Sequence, residues 1–219
     1  MQTTHTKPEL TSVPEVYIYP SAWVKLFHLL QKGLPDEISG LGKTAMINGK
    51  LVITDIVYVG GAHQAAFTDI QKQYQDYLNE LIAADQKEEI KTIHVFWHSH
   101  NTMAANWSGF DLETIHNAFI NSTYWVCVVV NANEDYQCAV IYKPKTVLNN
   151  LQLKMYYGEG DVMSADEAIK QANAEYARYH QQFFRASGPE PASQKVEQVV
   201  EQPVEQPVVG TETGTEHKQ

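Results

Sequence analysis

The sequence predicts one α/β domain of the α+β type, helices packed on a mixed sheet, followed by a disordered acidic tail. Three observations predict it. Helical and strand periodicities alternate from residue 15 to residue 186, apolar groups recurring every three to four positions in some segments and at alternate positions in others. Ile90 to His98 is apolar on both faces, as a central buried strand requires. Beyond Phe184 no aromatic residue occurs at all.

Taken in order, residues 1–14 are polar and are expected to be flexible. Ser21 to Lys32 spaces Trp23, Leu26, Phe27 and Leu30 as one helical face, behind a serine able to cap, and Gly33 and Pro35 stop it. Glu37 to Ile47 is a glycine-interrupted strand, turned by Asn48-Gly49 into a returning strand from Leu51 to Val59. Asp69 to Asp85 is an amphipathic helix. Ser108 to Ser122 carries Leu112, Ile115 and Phe119 on one side of a further helix. Tyr124–Val130 and Tyr136–Tyr142 form a strand pair around Asn133-Glu134-Asp135, and Leu151 to Tyr157 adds an edge strand. Ser164 with Glu167 three residues on has capping-box spacing and opens a long helix to Phe184. Residues 187–219 repeat Val-Glu-Gln and Glu-Gln-Pro-Val, with six Glu against two Lys, and are too poor in large apolar groups to offset the entropy of ordering.

The net charge of -10 argues against nucleic acid as a partner, since an acidic surface repels phosphate. Two cysteines, Cys127 and Cys138, make no disulfide framework, and Cys127 in its β-branched run is expected as a buried thiol. The N-terminus lacks the basic and apolar regions of a secretory signal, and the longest apolar run, Tyr124 to Val130, cannot span a bilayer. A cytoplasmic protein that does not engage a membrane is the expectation.

The chemistry concentrates at the end of the Ile90–His98 run. His98 and His100 are two apart, so on a strand both imidazoles leave the same face and can converge on one ion. Ser108 and Asp111 follow at the start of the next helix. Ser-x-x-Asp is also a helix N-cap pattern, and the two roles are compatible, because a helix start aimed at the strand end would hold Asp111 near the metal. Two His, one carboxylate and an open fourth position form a hydrolytic zinc set. His94 lies two pleats back and is expected as a core histidine; His63, His116 and His180 lack such spacing and are expected on the surface. Trp97, Met103 and Trp107 flank the ligands, either lining a cleft or packing.

His-x-His-x7-Ser-x-x-Asp, read at His98, His100, Ser108 and Asp111, resembles the signature of the JAMM (MPN-plus) zinc metalloproteases. The resemblance covers the motif and, more loosely, Trp23 to Tyr142. It implies a cytidine-deaminase-like fold with a curved mixed β-sheet between helices. It also implies His98, His100 and Asp111 as Zn2+ ligands and Ser108 as donor to the bound water and the oxyanion. The family's general base is a glutamate just after the first helix; Glu37 occupies the matching place, with Asp36 and Glu15 as alternatives. Gly40 and Gly42 beyond it could let substrate backbone pair along that strand. The activity implied is hydrolysis of a peptide or isopeptide bond, the substrate being a protein or peptide such as a ubiquitin-like tail. Without a Cys/His-rich insertion, the chain is closer to compact prokaryotic or phage-type members. Two other functions fit the same residues: a non-catalytic scaffold of this fold, and hydrolysis of a small-molecule amide.

Overall fold

The computed structural model describes residues 15–62, 67–108, 111, 123–142, 146–161 and 163–187. The expected flexible N-terminus, most of the expected helix from Ser108 to Ser122, and the expected tail lie outside them, as do His63 and His116. The elements run β1 (Val16–Ile18), α1 (Pro20–Gly33), β2 (Ile38–Ile47), β3 (Lys50–Ala62), α2 (Phe67–Ala83) and α3 (Lys87–Ile90). They continue with β4 (Ile93–His100), β5 (Tyr124–Asn131), β6 (Tyr136–Tyr142), β7 (Thr146–Leu151), β8 (Leu153–Met155) and α4 (Ala165–Ser187). No described helix is long and apolar enough to cross a membrane.

The eight strands among the described residues form one sheet in the order β7-β6-β5-β4-β2-β3-β1-β8. The sheet is mixed: β4 runs parallel to β5, and β1 runs parallel to β3 and β8, while the remaining pairs are antiparallel. Its two edges, β7 and β8, are separated in the chain by Gln152 alone. Laid flat, eight strands would hold those edges about 34 Å apart, whereas two residues of chain span about 7 Å. The sheet therefore curls almost into closure. Tyr136 on β6 closes the seam, its hydroxyl accepting the Leu153 N–H at 3.2 Å and donating to the Leu153 carbonyl at 3.4 Å. The expected α+β class with a curved mixed sheet is what the chain adopts.

The centre of the sheet is its driest part. In β5 every side chain from Trp125 to Asn131 is buried, which suits a strand covered on both faces. Cys127 lies here as a fully buried free thiol, and burial pushes it and Cys138 upward in pKa, Cys138 to about 12.

Helices α1 and α4 pack on each other and on β3, and α2 also covers β3. The face of α1 that is buried differs from the expected one. Ala22, Leu26, Leu29 and Leu30 face the core together with Lys25, while Trp23 and Phe27 are half-buried. Lys25 is 1% exposed and reaches Asp55 of β3 at 3.0 Å and Glu175 of α4 at 2.7 Å. Glu175 in turn accepts the Tyr58 N–H at 3.0 Å, which holds its carboxylate beside the buried cation. Ser21 does not cap α1; its hydroxyl donates to Asp161 at 2.6 Å. Ser164 does cap α4, accepting the Glu167 N–H at 3.2 Å.

The expectation that β2 offers substrate an edge is corrected by the topology. Gly40 to Lys43 of β2 are paired with β3 on one side and β4 on the other. The glycines serve packing instead. A Cβ on Gly40 would stand 2.2 Å from the Val57 carbonyl oxygen and 2.7 Å from Trp97 Nε1. Gly40 thereby admits the Trp97 indole, which is fully buried and donates to the Leu41 carbonyl at 2.9 Å, while a Cβ on Gly42 would meet the Asp55 carbonyl oxygen at 2.7 Å and Val95 at 2.9 Å.

Candidate metal centre

β4 carries both histidines to the sheet end. Its last three residues alternate, as strand geometry dictates, with His98 and His100 on one face and Ser99 on the other. The buried Ser99 hydroxyl accepts the Ile38 N–H at 2.9 Å, tying the start of β2 to the strand that bears the histidines. On the first face, His98 Nε2 and His100 Nε2 approach to 3.1 Å. Asp111, reached through the loop after β4, completes a group whose ligand atoms all lie within 4.8 Å of one another.

Ser108 and Asp111 form a reciprocal cap. The Ser108 hydroxyl accepts the Asp111 N–H at 3.1 Å, and Asp111 Oδ2 accepts the Ser108 N–H at 2.8 Å. The expected cap is present, and it is compatible with the second expected role. The cap uses one carboxylate oxygen and leaves the other for an ion, and the serine hydroxyl keeps its own proton to donate.

The donor set fits zinc, two imidazole nitrogens and a carboxylate oxygen. A tetrahedral ion with Zn–N bonds of about 2.0–2.1 Å holds two nitrogens about 3.3 Å apart, close to the separation of the two Nε2 atoms. His100 Nδ1 lies 2.8 Å from the Ala104 carbonyl oxygen. A carbonyl only accepts, so Nδ1 is the donor and the lone pair of neutral His100 sits on Nε2, facing His98. His98 is held by burial at a pKa of about 4, Asp111 opposing that shift and His100 adding to it. A neutral imidazole has its lone pair available. Among the described residues, His98 Nδ1 is a buried nitrogen with no hydrogen-bond partner.

Glu37 immediately precedes β2 and is half-buried. Ser39, two residues on, pairs with His98, so Glu37 stands at the same end of the sheet as the ligands. It is not among the three groups that converge. Of its alternatives, Glu15 is engaged by Lys154 and by the Tyr17 hydroxyl on the β1–β8 edge, remote from β4 in strand order. Asp36 acts electrostatically on Tyr58, Tyr176 and His180, groups on β3 and α4.

The flanking residues divide. Trp97 is core, Met103 is exposed, and Trp107 is half-buried with its ring 5.2 Å from that of His98. His94 stacks on Tyr124 at 4.5 Å and stays outside the cluster. His180, expected on the surface, is half-buried against Tyr176 at 4.4 Å because α4 packs on the sheet.

Sequence reasoning passed over three residues that build this site: Ser99, Asn131 and Gln137. Gln137 accepts the Trp107 N–H at 2.9 Å, and Asn131 donates to the Met103 carbonyl at 3.0 Å. The available signal for Asn131 was a polar residue closing an otherwise apolar strand; the other two carried none.

No protein-family model matches this chain, and neither does any curated protein. Among solved structures it is similar to the solution structure of protein DSY2949 from Desulfitobacterium hafniense, at 14% identity and a TM-score of 0.44, covering 64% of this chain and 94% of that one.

Proposed function

We propose that this chain is a zinc-dependent peptidase or isopeptidase with a JAMM-type fold and site, acting on a protein or peptide substrate. One observation carries the proposal. Residues 98, 100 and 111, singled out by spacing alone, bring two imidazoles and a carboxylate within 4.8 Å of each other at a strand end.

Bound there, zinc would supply Lewis acidity, polarising a carbonyl and lowering the pKa of water so that a base can deprotonate it near neutral pH. The chain's own residues divide the remaining work. His98, His100 and Asp111 hold the ion. Glu37 takes the proton of the attacking water and returns it to the leaving amine. The Ser108 hydroxyl donates to the developing oxyanion, a contribution typically worth about 3 kcal/mol. Because β2 is paired on both sides, substrate lies across the sheet end and does not extend the sheet along β2.

The test is direct. Zinc content is measured for the wild type and for His98→Ala, and the wild type is offered ubiquitin-like fusions and small amides. One zinc per chain, lost with His98, and cleavage of a fusion are the results expected. A well-folded wild type without affinity for zinc would end the proposal, and cleavage of small amides alone would redirect it to that substrate class.

A further inference from the structure

Asn131 ends β5, and the parallel register places it beside His100 of β4. It is a polar side chain 1% exposed at the end of an apolar strand. Every hydrogen-bonding position of its amide is taken. Nδ2 donates to the Met103 carbonyl at 3.0 Å and to Asp135 Oδ2 at 3.1 Å, while Oδ1 accepts the N–H groups of Asn133 at 3.0 Å and Asp135 at 2.9 Å. Three of these bonds lie within the β5–β6 hairpin. The fourth leaves it and reaches the loop that follows His100. The same loop is held a second time, the Asn101 carbonyl accepting the Ala132 N–H at 2.8 Å.

The residue after Met103 is Ala104, whose carbonyl receives His100 Nδ1. We infer that Asn131 is a positioning residue for the metal centre: by fixing the Met103 carbonyl it aims the Ala104 carbonyl at His100 Nδ1 and selects the tautomer whose Nε2 can bind an ion. The inference rests on the zinc reading above. Neutral imidazole has two tautomers of similar energy, and a single directed carbonyl decides between them. If the loop drifts, His100 can carry its proton on Nε2, where it blocks coordination. Partners of this kind, one shell out from a ligand, typically change metal affinity by about 10- to 100-fold.

A test must separate this role from simple support of the hairpin. Asn131→Asp combined with Asp135→Asn exchanges donor and acceptor within the hairpin, keeps that bond, and replaces the donor to Met103 by a carboxylate oxygen that repels its carbonyl. Asp135→Ala weakens the hairpin and leaves the Met103 bond in place. Imidazole nitrogen-15 shifts of His100 are read in metal-free protein, and zinc affinity by competition with a chelator. The wild type and Asp135→Ala are expected in the Nδ1–H tautomer with equal zinc affinity. The double variant is expected to shift toward Nε2–H and to bind zinc about 10- to 100-fold more weakly. An unchanged tautomer in the double variant, or equal responses from both variants, would overturn the inference. So would an Nε2–H tautomer in the wild type, a measurement that needs no variant to fold. A wild type that takes up no zinc ends the metal reading alone, and the tautomer comparison then decides the role of Asn131 by itself.

Discussion

His98 and His100 present their Nε2 atoms to each other at 3.1 Å, with the His100 lone pair turned inward by the Ala104 carbonyl behind it. In the metal-free protein one imidazole can satisfy the other only by donating a proton between them. A cation placed there is held by both lone pairs at once. The two nitrogens sit where Asp111 can add a negative charge.

The role proposed for Glu37 is separable from that proposed for His98, His100 and Asp111. Glu37→Gln keeps size and polarity and removes the ability to carry a proton. Zinc content is expected to match the wild type, while turnover of a verified substrate falls by about 10²–10⁴-fold. Steady-state kinetics beside metal analysis checks this, and near wild-type turnover would assign the base elsewhere.

Lys25 is the cation on which the α1–β3–α4 packing depends. Lys25→Ala removes the ion pair of Glu175 and leaves Asp55 to Lys43 at 3.5 Å, in a site that burial has already made costly for charge, as the raised pKa of Glu175 indicates. The expected loss is about 3–5 kcal/mol of unfolding free energy. Lys91→Ala, which removes an exposed pair with Glu88, is expected to cost less than about 1 kcal/mol. Urea denaturation of the two variants compares them.

Stability is expected to fall in mild acid. Burial holds His94, His98 and His180 below the ordinary imidazole value of 6.5. Below that value the unfolded chain takes up protons that the folded chain refuses, so stability is complete above about pH 6.5 and declines toward about pH 4. Glu175, shifted upward by burial, works in the opposite sense at the lower end of this window. Urea midpoints of metal-free protein at pH 7.5, 6 and 5 should decrease in that order. A flat series would show that these imidazoles are solvated in the folded state.

Gly40 has no room for a side chain. Gly40→Ala drives a methyl group into the Val57 carbonyl and the Trp97 indole, and it is expected to destabilise the domain by about 1–3 kcal/mol. Gly49 at the β2–β3 turn has open space around its Cβ position but a φ of +75°, so Gly49→Ala tests backbone strain alone. Thermal melts of the two variants distinguish crowding from strain.

The longer elements were legible because each carries its own periodic signal. The helices at 20–33, 67–83 and 165–187 and the strands on either side of the Asn48-Gly49 turn fall within a few residues of where the pattern puts them. β1 was not legible: three residues are too few to show alternation, and its partners, β3 and β8, lie far along the chain. Lys25 and Ser21 misled for a related reason. A lysine on a buried face and a serine that does not cap make sense only once Glu175 and Asp161, some 150 and 140 residues away in sequence, are brought beside them.

By itself the sequence determined the kind of the longer elements and picked out the three side chains that the fold brings together, His98, His100 and Asp111, because strand alternation and helix capping act over two to four residues. The tertiary structure decided that β2 is internal, that the sheet curls until β7 and β8 meet across Gln152, and that Asn131 and Ser99 stand behind the ligands. Those outcomes depend on strand order and register, which are settled by burial of the whole core and by hydrogen bonds between residues that no local pattern connects.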